Sequence, residues 1–172
     1  MKRILAATAL AAFLAACQTV PDEELRATAG IAPLKGHKAF GEATFEQVGD
    51  KVRVVVFAQG LTPDREHGFH IHEKGDCSSD DGMSAGGHFN PFGKPHGHHA
   101  SPERHAGDLP NLKAGKDGRA KLDILMDTIT LRPGPANIVG RALIIHADPD
   151  DYKTQPTGAS GARIACGVIK AG

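Results

Sequence analysis

The sequence predicts an all-β domain, a sandwich or barrel of short strands, on three observations. Twenty-one glycines and eleven prolines in 172 residues, with no tryptophan, suit many turns rather than the long faces of a helical bundle. The apolar runs are short, rich in β-branched residues and bounded by turn residues, as in sandwiches and barrels. No internal repeat and no amphipathic helical stripe breaks this pattern. With 40% hydrophobic residues, a chain of this length can bury one core of ordinary size, so one domain is expected.

The elements can be placed in order. Residues 39–46 and 51–58 read as strands flanking a turn at Gly49-Asp50. The second, Val52-Arg53-Val54-Val55-Val56-Phe57, is β-branched and too short for a persuasive helix. A connection over 60–67, containing Pro63, leads to a strand over 68–73. From Lys74 to Asp108 there is almost no apolar periodicity, and a structureless loop of that length needs something to order it. Bonds to a metal can do so. Lys116-Asp117-Gly118 marks a hairpin turn into 119–125, and residues 138–146 form a strongly apolar strand. A second long loop, 148–162, precedes the closing strand 163–170.

The polar residues supply the reason for the first long loop. In an extended strand alternate side chains share a face, so His70 and His72 point one way and Ile71 the other. Two imidazoles at that spacing can grip one metal, and imidazole suits copper and zinc better than magnesium or calcium. His88, His96, His105, Asp108 and His146 follow downstream, giving six histidines and one aspartate, enough for two sites. The run His96-Gly97-His98-His99 offers three candidates for one ligand, and its spacing from His88 favours His96. His37 has no evident role.

The N-terminus reads as an export signal. Lys2 and Arg3 precede an apolar run from Ile4 to Phe13 that is too short to span a bilayer. Leu14-Ala15-Ala16-Cys17 resembles a bacterial lipobox, in which the cysteine is lipidated and becomes the new N-terminus; the alternative is a plain secretory signal. The expected organisation is therefore a signal peptide over 1–16, a lipidated Cys17 and tether over 17–35 with room for a first strand near its end, and the folded domain over 36–172. Gln18 resembles the pattern sorted to the outer membrane, so the expected location is the cell envelope, lipid-anchored and facing the periplasm. With Cys17 acylated, Cys77 and Cys166 remain, and an oxidising compartment favours their disulfide over two buried thiols. Closing a loop of about ninety residues would contribute roughly 4–5 kcal/mol on the chain-entropy model. Formal net charge is zero, and no basic run argues for a nucleic-acid partner. No interface signature is evident, so monomer and homodimer both stay open.

Four segments in order, Gly68-Phe69-His70-Ile71-His72, Gly86-Gly87-His88-Phe89-Asn90-Pro91, Arg104-His105-Ala106-Gly107-Asp108 and Arg163-Ile164-Ala165-Cys166-Gly167-Val168-Ile169, resemble the copper/zinc superoxide dismutase family. The resemblance covers residue 37 to the C-terminus and implies a flattened Greek-key β-barrel with both long loops outside it. It implies copper on His70, His72, His88 and His146, and zinc on His88, His96, His105 and Asp108. Two four-coordinate metals need eight ligand positions and seven side chains are on offer, which leaves a water position or a shared ligand. The family assigns the sharing to His88. By the same resemblance Asp150 hydrogen-bonds His70 and His96, His67 is a structural residue that orients the site, and Arg163 binds the anionic substrate beside copper. The implied reaction converts superoxide to oxygen and hydrogen peroxide by Cu(II)/Cu(I) cycling, with His88 carrying a proton. A non-catalytic copper-delivery or metal-storage protein on the same fold is the alternative. The loop 148–162 is shorter than in many eukaryotic members, and only Lys153 stands as a candidate for guiding substrate.

Overall fold

The computed structural model describes residues 25–172, so the expected signal peptide over 1–16 and the expected lipidation at Cys17 lie outside the described residues. Ten strands are described: β1 Arg26–Pro33, β2 Phe40–Val48, β3 Lys51–Gln59, β4 Glu66–His67, β5 Phe69–His72, β6 Leu112–Lys113, β7 Ala120–Met126, β8 Ala142–His146, β9 Arg163–Val168 and β10 Lys170–Ala171. A single 3-10 turn, Met83–Ala85, is the one helical element among the described residues. The expected all-β class is what the chain adopts.

The hydrogen-bonded order is β5-β8-β9-β1-β2-β3-β7, with β10 also on β1, and every pairing in it is antiparallel. Strand β1 is where this sheet turns over. Arg26 to Ile31 pair with β2, whereas Ala32 and Pro33 pair with Cys166 and Ala165 of β9. As a result one core joins Ala27, Phe45 and Val54 from one half to Phe69, Ile71, Leu143 and Ile145 from the other. The sheet is thus curled around a shared interior. Strand alternation drives it: Val52, Val54, Val56 and Ala58 are buried, while Lys51, Arg53 and Phe57 face solvent. Arg53 forms two hydrogen bonds to Asp123 across the outer face, at 2.9 and 2.8 Å. Being exposed to solvent and its ions, that pair adds little to stability.

Three expectations about boundaries need correction. The segment read as a tether, 17–35, with room for a first strand near its end, does contain β1, so the fold begins about ten residues earlier than the expected start at 36. Its inward residues are Ala27, Ala29 and Ile31, with Gly30 between, too small to give a strong apolar alternation. The apolar run 138–146 is a strand only from Ala142, because Gly140 takes a left-handed φ of +81° and the Arg141 N–H turns back to the Ile138 carbonyl. The closing run 163–170 splits at Ile169, whose N–H bonds the Arg141 carbonyl, into β9 and the short β10. The turn at Gly49-Asp50 is a two-residue hairpin closed by the pair Val48 and Lys51, with Gly49 at φ +57°.

Strand β8 is buried along its whole length. Leu143 and Ile145 enter the main core, while Ala142 and Ile144 pack with Leu34, Ala85 and Cys166 in a second, smaller cluster. That cluster lies beneath the loop carrying Cys77, which the disulfide to Cys166 attaches to β9 across 89 residues. The expected pairing of these two cysteines is therefore present.

Candidate metal centre

Alternation sends Phe69 and Ile71 of β5 into the main core and leaves His70 and His72 on the opposite face. On the neighbouring β8, His146 follows Ala142 and Ile144 on that same outer face. The pairing of β8 with β9 slips between Ile145 and His146, which sets His146 opposite Arg163. The long loop then runs along the free side of β5. The Phe89 N–H bonds Ile71 O at 2.8 Å, the Ile71 N–H bonds Gly107 O at 3.0 Å, and the Gly107 N–H bonds Phe89 O at 2.9 Å. A Cβ at Gly107 would lie 2.3 Å from Ile71 O, so only glycine lets the backbones come this close. These bonds hold His88 beside His72 and Asp108 beside His70.

Two buried donor groups result, His70, His72, His88 and His146 in one and His88, His96, His105 and Asp108 in the other, each with its donor atoms within 4.8 Å of one another. His88 belongs to both. The hydrogen bonds show that these are built to receive metals. His70 Nδ1, His72 Nε2, His88 Nε2 and His146 Nε2 are buried without a hydrogen-bond partner, while His96 Nδ1 and His105 Nδ1 face the Asp108 carboxylate at 3.0 and 3.3 Å. An unsatisfied buried polar atom costs about 1–3 kcal/mol, so the four gathered in the all-imidazole group call for a cation to satisfy them. Several of the opposite ring nitrogens are engaged, as metal-binding imidazoles require. His70 Nε2 and His96 Nε2 meet the two oxygens of Asp150 at 2.8 and 2.9 Å, and His72 Nδ1 meets Gly86 O at 2.9 Å. His88 Nδ1 lies 2.9 Å from Asp108 Oδ1, and His96 Nδ1 lies 3.0 Å from Asp108 Oδ2.

In the all-imidazole group the electrostatics favour neutral donors. Burial pushes the pKa of His70, His72 and His146 down, and that of His88 to about 4, leaving neutral lone pairs. Burial opposes charge at His96 too, but hydrogen bonds to Asp108 and Asp150 outweigh it and raise this group to about 9. Burial would raise the carboxyls of Asp108 and Asp150; hydrogen bonds from the surrounding histidines prevail and hold both well below the usual range.

Around the donors, His67 Nδ1 donates to the His146 carbonyl at 2.8 Å while its Nε2 accepts the Thr62 N–H at 3.2 Å, tying a connecting loop to that histidine. The Arg163 guanidinium donates to Gly82 O at 2.7 Å and Gly86 O at 2.6 Å, both on the disulfide loop. It lines a cleft of about 610 Å³ together with His72, His146, Lys35, His37, Met83 and the carboxylates Asp80 and Asp81. Lys153 is not among the cleft's lining residues; Lys35 is, held 2.6 Å from Asp80. His37, without a role in the sequence, stands at the same mouth. His98 and His99 belong to neither donor group; their rings lie 4.0 Å apart, His98 against Tyr152 at 4.6 Å.

Two amides escaped sequence reasoning. Asn111 brackets the Asp150 backbone, accepting its N–H at 3.0 Å and donating to its carbonyl at 3.0 Å. Gln155 does the same for His96, at 2.8 and 2.9 Å. Both act across long sequence separations, so no local pattern marks them. Gly158 completes this layer. A Cβ there would lie 1.8 Å from Asp150 Oδ1 and 2.7 Å from His96 Nε2, at a φ of +70°. Gly158→Ala is expected to displace Asp150 and lower the affinity for both metals about 10- to 100-fold, read as metal content after dialysis against a chelator. Native-like retention would show that the Asp150 bridge is dispensable.

Two adjoining donor groups sharing one imidazole, under a cleft with a fixed arginine, define a binuclear metalloenzyme on a curled β-sheet. The comparisons agree. The family model for copper/zinc superoxide dismutase (SODC) matches residues 39–169. Superoxide dismutase [Cu-Zn] 1 of Aquifex aeolicus is 43% identical over 152 residues, covering 86% of this chain and 89% of that one. The Cu-Zn superoxide dismutase of Paramecium bursaria Chlorella virus 1 is 46% identical over 145 residues, covering 81% and 76%. Superoxide dismutase-like protein YojM of Bacillus subtilis is 45% identical over 139 residues, covering 77% and 70%. Among solved structures, one described as the clock protein EA4 superposes with a TM-score of 0.78 at 42% identity, covering 86% of this chain and 94% of that one. This chain belongs to the copper/zinc superoxide dismutase family, whose metals are copper and zinc.

Proposed function

We propose that this protein removes superoxide with copper in the group His70, His72, His88 and His146, and zinc in the group His88, His96, His105 and Asp108. The observation that carries this reading is the imidazole of His88, common to both groups and unpartnered at Nε2. The all-imidazole group includes His72 and His146, which line the cleft with Arg163, and suits copper. The second contains a carboxylate and lies away from that cleft, as suits a redox-inert zinc. Bound copper supplies the one-electron chemistry that turns two superoxide ions and two protons into oxygen and hydrogen peroxide. The residues supply the rest. Arg163, immobilised by two carbonyls, attracts the anion and orients it with a planar guanidinium that keeps its charge despite half-burial. His88 takes up a proton at Nε2 and returns it to the departing peroxide. Asp150 fixes the rings of His70 and His96 through their far nitrogens, and His67 fixes the backbone of His146. Metal stoichiometry measured beside superoxide decay tests the reading. One copper and one zinc per chain with rapid decay is expected; full metal with no decay would favour a delivery or storage protein.

We further propose that Cys17 is acylated and that the protein sits on the periplasmic side of the outer membrane. The support is the charged start, the apolar run Ile4 to Phe13, and Leu14-Ala15-Ala16-Cys17 followed by Gln18. The expected result is palmitate incorporation and membrane fractionation in the native chain, both lost in Cys17→Ser. A native chain that stays unlabelled would refute the lipidation.

A further inference from the structure

We propose that Gln155 is a positioning residue for zinc, which presents His96 to the metal and selects it from the run His96-Gly97-His98-His99. The inference rests on the assignment of His96 to zinc made above.

Residues 91–105 are almost without strand pairing, so nothing in regular structure sets the register of this stretch. Three histidines within four positions could then compete for one coordination place. Contacts from the second long loop remove that freedom. The Gln155 side chain meets the His96 backbone as a strand partner would: its Oε1 accepts the N–H at 2.8 Å and its Nε2 donates to the carbonyl at 2.9 Å. Five residues earlier, Asp150 Oδ1 holds the ring of His96 at Nε2, 2.9 Å away. With backbone and far ring nitrogen both held, Nδ1 is the atom left facing Asp108 Oδ2, at 3.0 Å. The next residue adds to this, the Gly97 N–H reaching the same Asp108 oxygen at 3.1 Å. His98 is turned outward, exposed and against Tyr152. Moving His98 into the site would break both amide hydrogen bonds together with the Asp150 contact, and that combination supplies the selection.

Because Gln155 lies in the loop that also places Thr157 and Gly161 on the cleft wall, the clamp joins the zinc ligand to the substrate side of the molecule. Gln155 is itself exposed, so water competes with its hydrogen bonds and the effect should fall at the low end of the range for residues supporting metal ligands.

The test follows zinc release from the copper- and zinc-loaded protein into a colorimetric chelator. Gln155→Ala is expected to speed release about tenfold with copper content unchanged. Gln155→Glu, which keeps the acceptor and loses the donor, should lie between it and the native chain. His98→Ala should leave release unaltered in the native background and speed it further in Gln155→Ala, where His98 can substitute. Thermal unfolding of metal-free Gln155→Ala should match the native chain, since a purely structural role would lower it instead. Release from Gln155→Ala within twofold of native would overturn the proposal. If His96→Ala itself holds zinc as the native chain does, the assignment of His96 to zinc fails first, which separates the two outcomes.

Discussion

Arg163→Ala is expected to keep its copper and zinc and yet lose about 10- to 100-fold in kcat/KM, because the anion loses both an attracting charge and a planar donor. The structure gives the reason for so large an effect. Lys35 is held 2.6 Å from Asp80, and Asp81 also lines the cleft, so the other formal charges at the mouth offer no excess of positive charge. Arg163 is the cation placed next to His146 by the strand register, and its two carbonyl partners keep it there. Arg163→Lys should recover part of the rate, since a point charge attracts superoxide but lacks the guanidinium's geometry. Activity of the native protein should fall as salt rises, and the Arg163→Ala variant should lose most of that dependence. Superoxide decay after pulse radiolysis, on fully metallated proteins across a salt series, measures both. A native rate in Arg163→Ala would end its assignment as the anion site.

The second large effect concerns the division of ligands. His105→Ala should lower zinc affinity by more than about 100-fold, beyond the range for supporting residues, while copper stays bound. His146→Ala should shed copper and with it activity, while zinc stays. The two variants differ because His105 and His146 sit in separate donor groups and only His88 is shared. His88→Ala should therefore weaken both metals. Metal analysis after dialysis, with circular dichroism to show that the strands survive, decides it. Equal loss of both metals from His105→Ala and His146→Ala would sink the division.

Most of the chemistry was legible in the sequence because its signals are local. His70 and His72 declare a shared face by their spacing, Val52 to Ala58 declare a strand by alternation, and Gly49-Asp50 declares a hairpin. The donor residues singled out by type and order converge into two groups, and Cys77 and Cys166 are bonded. Signals failed where side chains were small or partners remote. Strand β1 was legible only as an optional strand at the end of an apparent tether, because Ala27 and Ala29 carry little apolar weight, although β1 is the turning point of the sheet.

Residue type and spacing by themselves determined the all-β class and the metal-binding character, since each depends on chemistry carried within a few neighbouring positions; the candidate arginine came from the resemblance of the segment 163–169 to the family. Tertiary structure decided which lysine reaches the cleft, which amides brace the site, and how His96, already favoured by its spacing from His88, is held as a donor. Asn111 and Gln155 act on backbone 39 and 59 residues away, and Lys35 meets Asp80 across 45. Contacts of that reach exist only after the sheet has curled and the two loops have met, because hydrogen bonding depends on distance and direction in space, which local periodicity does not encode.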